Sequence, residues 1–139
     1  MSAKIMLRIP GDPVPKGRPR FTRQGRTYTP AKTKTYEDEV AMLGKAAMKG
    51  MEPLETPIAV FVYATFPIPQ SYSKKRRDAC LNGSERHIKR PDLDNVVKAI
   101  TDGLNGVVYH DDSQIVSLHA TKVYGTDGMV EVMVQEELP

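Results

Sequence analysis

Five aspartates fall within residues 90–114, although the chain as a whole has a formal charge of +3 at pH 7: Asp92, Asp94, Asp102, Asp111 and Asp112. Carboxylates that lie close together in a low-dielectric pocket repel one another by several kcal/mol. A divalent cation removes this repulsion. Mg²⁺ prefers oxygen ligands and is often held by one or two carboxylates together with water and phosphate oxygens. The segment therefore predicts a site for a divalent cation such as Mg²⁺.

A helix from about Leu93 to Asn105 is predicted to position the first of these carboxylates. Its apolar side chains recur at helical spacing and predict a buried face: Leu93, Val97, Ile100 and Leu104. Asp94 and Lys98 lie one turn apart on the opposite face, so they are expected to point outward together. Asp92 precedes the helix, and either Asp92 or Asp94 is a candidate for its N-cap.

The second group of carboxylates follows the helix. After a short apolar stretch, Asp111 and Asp112 are expected to return to the same end of the helix, and the sequence leaves open which of the two binds a metal. Both also suit an ordinary turn before Ile115. Asp102, four residues after Lys98, is expected to be its exposed ion-pair partner.

The order of these residues resembles a known family. The segments Arg-Pro-Asp-Leu-Asp-Asn (90–95), Asp-Gly-Leu-Asn-Gly (102–106) and Asp-Asp-Ser-Gln (111–114), with Lys98 between the first two, are similar to the RusA-type Holliday-junction resolvases. These are small endodeoxyribonucleases, often carried by prophages. The N-terminal stretch PVPKGRPRFTRQGRTYTPAKTKTYE is similar to the opening of many members. The resemblance extends from about Arg8 to Val134.

The resemblance assigns roles to individual residues. It implies that Asp92, Asp94 and Asp112 are the metal-binding catalytic aspartates and that Lys98 is also needed for activity, with Asp111 as a fourth candidate carboxylate. It implies cleavage that leaves a 5′-phosphate and a 3′-hydroxyl. The expected cofactor is Mg²⁺, with Mn²⁺ able to substitute and Ca²⁺ supporting binding more than cleavage. Lys98 would stabilise the transition-state charge or orient the water.

Two basic segments precede the aspartates in the sequence and are the predicted DNA-binding surfaces. The first, within residues 13–36, has seven Lys or Arg, no acidic residue and interleaved aromatic side chains, a composition that suits phosphate contacts and base stacking. The second precedes Asp92. The candidates for DNA contact are Lys16, Arg18, Arg20, Arg23 and Arg26 in the first segment and Lys74, Lys75, Arg76, Arg77, Lys89 and Arg90 in the second.

The distribution of charge supports the same interpretation. Residues 1–90 hold 18 Lys and Arg against 8 Asp and Glu, whereas residues 91–139 hold 2 against 9. A basic majority beside an acidic third predicts a phosphate-binding surface next to a metal site.

The expected substrate is branched DNA, and because a junction must be cut in two strands, a symmetric homodimer is expected. The alternatives are a nuclease that prefers flaps or forks and a non-catalytic protein that binds branched DNA.

Other readings of the sequence are less suitable. An EF-hand loop beginning at Asp92 would need Gly at its sixth position and Glu at its twelfth, where this chain has Val97 and Gly103. The three histidines do not have zinc-site spacing, and a lone cysteine, Cys80, fits a reducing compartment. With neither a signal peptide nor a membrane-spanning segment, the expected location is the cytoplasm.

The elements around the site predict an α+β fold in one domain of residues 1–139. We expect a mixed β-sheet of about four strands with helices packed on one face. The strands are predicted at Lys4–Pro10, Pro57–Pro67, Ile115–Tyr124 and Met129–Gln135, and the further helices at Thr33–Lys49 and about Lys74–Leu81. The last two strands are predicted to form a hairpin through residues 125–128.

Overall fold

A computed structural model describes residues 3–17, 20–28 and 30–139. The strands are β1 (Lys4–Pro10), β2 (Arg20–Phe21), β3 (Thr27–Tyr28), β4 (Ile58–Pro67), β5 (Ile115–Gly125) and β6 (Met129–Glu136). The helices are α1 (Ala31–Met48), α2 (Lys74–Asn82) and α3 (Leu93–Leu104), with a short 3₁₀ turn at Asp112–Gln114. The short β2–β3 pair lies within the N-terminal basic segment, residues 13–36.

Four strands form one mixed sheet in the order β1-β6-β4-β5. β6 is antiparallel to both β1 and β4, and β5 is parallel to β4. This arrangement confirms the predicted α+β class and the mixed sheet of four strands.

The predicted hairpin between β5 and β6 is wrong, because β4 lies between these two strands. Gly125 at the end of β5 pairs with Pro67 of β4, and Met129 at the start of β6 pairs with Thr65 of β4. The connection through residues 126–128 therefore crosses the end of β4. Nearly every residue of β4 is buried or half-buried, in keeping with its place between β6 and β5.

Helices α1 and α3 pack on one face of the sheet and against each other. A Cβ atom on Gly44 of α1 would lie 2.6 Å from Leu104, and one on Gly103 of α3 would lie 2.9 Å from Val40. The two helices approach so closely because these glycines have no side chain. The predicted apolar face of α3 is buried, apart from a half-buried Leu93, and this contact fixes the orientation of the opposite face.

A smaller apolar cluster lies where α2 contacts the C-terminal part of β5. Cys80 of α2 is buried against Ile68 and Tyr124. His87, in the segment after α2, stacks on Phe66 with ring centroids 4.2 Å apart and also contacts Tyr124. Burial, with the nearby positive charge of Lys122, lowers the pKa of His87 below 6.5. The neutral imidazole is therefore the form that the folded protein accommodates.

This environment predicts that acid destabilises the protein through His87. The pKa of His87 is depressed in the folded state, so its contribution to stability is present above pH 6.5 and is lost as the pH falls below that value. We expect His87→Phe, which keeps the aromatic stack, to show a smaller fall in unfolding temperature between about pH 7 and about pH 5 than the wild type. His110→Gln, at an exposed histidine, is the matched control and should retain the wild-type pH dependence.

Candidate active site

A cavity of about 450 Å³ opens between α3 and the first half of β5. Three charged side chains line it: Asp94 and Lys98 from α3, and Asp112 from the 3₁₀ turn that leads into β5. Leu118 of β5 forms part of its apolar wall and is half exposed. The cavity thus combines two carboxylates and an ammonium with an apolar surface that reduces local screening.

The start of α3 positions Asp94 without using it as a conventional cap. Asp92 occupies the N-cap position, but its side chain makes no capping hydrogen bond. The Oδ1 atom of Asp94 accepts a hydrogen bond from the adjacent backbone N–H of Asn95 at 3.0 Å. Asp92 therefore holds the predicted N-cap position without a side-chain bond to the helix, whereas Asp94 accepts the N–H of N3 from within the first turn of α3. The carboxylate of Asp94 lines the cavity.

The structure separates the roles of the two adjacent aspartates. Asp111 caps the 3₁₀ turn: its Oδ2 atom accepts a hydrogen bond from the N–H of Ser113 at 3.0 Å, and its own N–H donates to Gln114 Oε1 at 2.9 Å. The bonds from Ser113 lower the pKa of the Asp111 carboxyl. Asp111 is thus engaged in a turn, as one of the two sequence interpretations predicted, while Asp112 faces the cavity beside Lys98.

Lys98 is held by carboxylates on two sides. Its Nζ atom lies 3.0 Å from Asp102 Oδ1 and 3.6 Å from Asp112 Oδ2, and the bond to Asp102 is the main cause that raises its pKa. Asp102 is the predicted partner of Lys98, but its side chain is only 21% exposed because it also contacts Lys16 at 3.1 Å. Lys16 in turn contacts Glu37 of α1 at 2.7 Å. The positive charge of Lys98 is therefore fixed at the cavity by a chain of alternating charges.

The donor set at this cavity fits a hard divalent cation. Asp94 and Asp112 provide two carboxylates on one cavity, and Mg²⁺ commonly needs only one or two, the remaining ligands being water and phosphate oxygens. Asp92 does not line the cavity. In the part of the chain that the structure describes, no three His, Cys, Asp or Glu side chains form a metal-binding group. The convergence of Asp92, Asp94 and Asp112 on one ion remains a prediction.

Two residues near the site were missed by the sequence analysis. Lys122 of β5 donates hydrogen bonds from Nζ to the backbone oxygens of Lys89 at 2.8 Å and Pro91 at 3.1 Å, so it holds the segment that delivers Asp92 to α3. A lysine among the apolar residues of a strand was the signal for such a role. Tyr109 is buried and donates its hydroxyl hydrogen to the backbone oxygen of Thr101. Burial and the nearby charge of Asp112 raise the pKa of Tyr109.

The predicted DNA-binding residues have different environments. Six of them have exposed side chains: Arg23, Arg26, Lys74, Lys75, Lys89 and Arg90. Arg76 is also exposed, but it pairs with Glu85 and lies over the ring of Tyr72. Arg77 is half-buried and donates to the backbone oxygen of Pro69.

The remaining predicted DNA contacts lie in the N-terminal segment. Lys16 is engaged inside the fold by Glu37 and Asp102, so we assign it to positioning this segment. Arg18 lies outside the described residues, and so does the side chain of Arg20. No helix in the described part of the chain has the length and apolar character needed to span a membrane.

The chain is similar to a known protein family and to a curated bacterial protein. A family model described as "Endodeoxyribonuclease RusA" matches residues 10–135. The protein YqaN of Bacillus subtilis (strain 168), described as uncharacterized, is 38% identical over 138 residues, which cover 95% of this chain and 96% of YqaN. The family match includes every residue that lines the cavity and both basic segments.

Proposed function

Because the chain belongs to the RusA endodeoxyribonuclease family, we propose that it is a Mg²⁺-dependent nuclease that resolves four-way DNA junctions by paired incision. The observation that carries this proposal is the meeting of Asp94, Lys98 and Asp112 at one cavity. Family membership supports the nuclease activity, and the pairing of two carboxylates with a fixed ammonium supports a metal-assisted attack on a phosphodiester.

The proposed chemistry assigns separate tasks to these side chains. Asp94 and Asp112 would hold Mg²⁺, with Asp92 as the third carboxylate that the family resemblance implies. When bound, the ion activates water and neutralises charge on the phosphoryl oxygens. The Lys98 ammonium stabilises the negative charge that develops on the phosphate in the transition state. Asp102 keeps that ammonium oriented toward the cavity. The products would carry a 5′-phosphate and a 3′-hydroxyl.

The exposed cations would hold the DNA backbone next to this cavity. Lys89 and Arg90 immediately precede the turn into α3, and α2 adds Lys74 and Lys75 beside β5. Contacts of this kind bind phosphates without reading base sequence, so binding should weaken steeply as salt increases. Symmetric incision of two strands calls for two copies of the site, and we propose a homodimer that acts on cytoplasmic DNA.

The direct test of this function is cleavage of a labelled four-way junction in Mg²⁺, Mn²⁺, Ca²⁺ or EDTA. We expect paired nicks in Mg²⁺ and in Mn²⁺, and none in EDTA, because the carboxylates alone cannot activate water or neutralise the phosphate. In Ca²⁺ we expect a gel shift with little cleavage. A linear duplex of the same length and sequence composition is the matched control substrate and should remain largely uncut.

Two other outcomes would assign a different function. A gel shift with no metal-dependent nicks under any of these conditions would identify a binding protein rather than a nuclease. Faster cleavage of flaps or forks than of four-way junctions would retain the metal chemistry but contradict the proposed substrate. Measuring the three branched DNAs in parallel separates these results.

A further inference from the structure

Ile88 lies in the α2–α3 loop, residues 83–92, and is 89% exposed. Among the large apolar side chains of the described residues it is the most exposed, and the next is Met6 at 68%. A single exposed apolar side chain is common on proteins and does not by itself indicate a function. The surroundings of Ile88 do indicate one, since the α2–α3 loop leads directly into Asp92 and the candidate active site.

Contacts with the rest of the fold hold the backbone on both sides of Ile88. His87 is buried and stacks on Phe66, with ring centroids 4.2 Å apart. On the other side, Lys122 Nζ donates to the backbone oxygen of Lys89 at 2.8 Å. Because both neighbours are anchored, the fold keeps the apolar side chain of Ile88 in water instead of covering it.

Cations lie close to Ile88 along the loop. Arg86, Lys89 and Arg90 are within two residues of it, and all three are exposed. Such side chains bind the phosphates of DNA. An apolar side chain among phosphate-binding cations is then brought to the bases, and isoleucine is one of the residues that proteins insert between base steps.

A cleft of about 460 Å³ lies beside Ile88. Ile88 and Tyr124 form apolar parts of its lining, while Arg86 and Lys89 provide cations. The acidic side chain in the lining is paired with Arg76 at 2.9 Å, so its charge is balanced. Sites for small molecules have volumes of about 300 to 1,000 Å³, and a cleft of this size and charge suits one nucleotide.

We propose that Ile88 is a wedge that inserts at the branch point of a DNA junction, and that the cleft beside it receives a nucleotide unstacked there. The inference rests on the proposed function in one respect, since it takes branched DNA as the substrate. It assigns recognition of the branch to an apolar contact. Phosphate contacts alone position DNA and are equally available on a linear duplex.

The free energy of stacking explains why such a wedge would select a branch. In a linear duplex, insertion must separate two stacked base pairs, which costs free energy. At a branch point the continuous stack is already interrupted, so the side chain of Ile88 gains apolar contact without the full cost of unstacking. The contact should therefore strengthen the binding of junctions and contribute little to the binding of linear duplexes.

The sequence places this wedge near the candidate active site. Ile88 precedes Asp92 by four positions, and an extended chain spans at most about 3.6 Å per residue, so their Cα atoms lie within about 14 Å. This distance corresponds to about four steps of 3.4 Å along one strand of B-DNA. Incision by the proposed nuclease should therefore fall within about four nucleotides of the branch point.

The first experiment compares the dissociation constants for a four-way junction and a linear duplex in EDTA, where no cleavage is expected. Ile88→Ala should raise the constant for the junction by about tenfold and that for the duplex by less than about twofold. Ile88→Leu keeps the apolar volume and should bind like the wild type. Met42→Ala, at a side chain 64% exposed on α1, is the matched control and should bind both DNAs like the wild type. Circular dichroism checks that the variants are folded.

The salt dependence of binding distinguishes an apolar wedge from a phosphate contact. Ile88→Ala removes no charge, so a plot of log Kd against log salt concentration should keep the wild-type slope while the affinity falls. Arg86→Ala removes a cation and should make the slope shallower. A changed slope for Ile88→Ala would mean that the substitution disturbs the neighbouring cations, and would overturn the assignment to an apolar contact.

A second experiment detects the unstacking itself. 2-Aminopurine fluoresces more strongly when it is unstacked, and we place it next to the branch point of the junction. Saturating wild-type protein should raise the fluorescence, whereas saturating Ile88→Ala should raise it much less. The same probe near the end of one arm is the control and should respond equally to both proteins.

These measurements are independent of cleavage, so failure of the wedge and failure of the nuclease can be distinguished. An equal loss of affinity for junction and duplex in Ile88→Ala would overturn the wedge, and so would the same branch-point fluorescence with both proteins. Paired nicking in Mg²⁺ together with unchanged junction affinity in Ile88→Ala would retain the proposed function and overturn only the wedge. A loss specific to junctions, in a protein that makes no nicks, would support the wedge and contradict only the nuclease activity.

Discussion

Replacing Asp112 by asparagine is expected to reduce metal-dependent cleavage by about 10³-fold, equivalent to about 4 kcal/mol of transition-state stabilisation. The amide retains the shape of the side chain but loses the negative charge that balances the ion. Asp112 faces the cavity with Asp94 and Lys98, so we expect Asp94→Asn to have an effect of similar size. Single-turnover cleavage of a labelled junction at saturating protein measures this loss separately from DNA binding.

The neighbouring residue provides the control for this prediction. Asp111→Asn changes the same chemical group one position earlier, where the side chain caps the 3₁₀ turn. Asparagine is an equally good capping residue, so stability and cleavage should both stay close to the wild type. The opposite result, in which Asp111→Asn loses activity and Asp112→Asn retains it, would exchange the roles that we assign to the two aspartates.

Replacing Lys98 by methionine is expected to slow cleavage by about 10²-fold without preventing DNA binding. Methionine retains the length of the aliphatic chain but removes the ammonium that Asp102 and Asp112 hold at the cavity. We expect a fall in the single-turnover rate constant and a much smaller change in junction affinity, because one phosphate contact among many contributes little to binding.

Two further variants separate charge from structure at this position. Lys98→Arg keeps the positive charge and should recover part of the rate. Lys45→Met removes an exposed lysine from α1 and should leave the rate unchanged. Lys98 is half exposed, so its removal should change the free energy of unfolding by no more than about 1 kcal/mol. A rate for Lys98→Met equal to that of the wild type would exclude a catalytic role for the ammonium.

The elements that position the site could be predicted from local patterns. Helix α3 has a strongly amphipathic sequence, so its bounds and buried face followed from the spacing of its apolar residues. The same spacing placed Asp94 and Lys98 together on the outer face. The strands β1, β4, β5 and β6 were also predicted, because each contains enough alternating or continuous apolar sequence.

The pairing of the strands could not be predicted in the same way. β5 and β6 are separated by a short glycine-containing connection, which usually indicates a hairpin. In the structure β4 lies between these two strands and pairs with both. Local sequence does not encode this strand order, since the order depends on how β4, β5 and β6 share one core.

The distinction between Asp111 and Asp112 also depends on distant contacts. Gln114, the partner of Asp111, donates its side-chain N–H groups to the backbone oxygens of Leu54 and Thr56. These bonds attach the 3₁₀ turn to the segment before β4. In this arrangement Asp111 caps the turn and Asp112 lines the cavity. The sequence places the two residues next to each other and therefore leaves their roles open.

The link between Lys16 and α3 affects how the N-terminal basic segment can be studied. The backbone N–H of Lys16 donates to the Asn95 oxygen at 2.8 Å, and its ammonium bridges Glu37 and Asp102. A truncation of this segment would thus disturb α3 as well as remove cations, and lost activity would have two causes. Individual substitutions at Arg23 and Arg26, whose side chains are exposed, change the charge of this segment and leave the contacts of Lys16 in place.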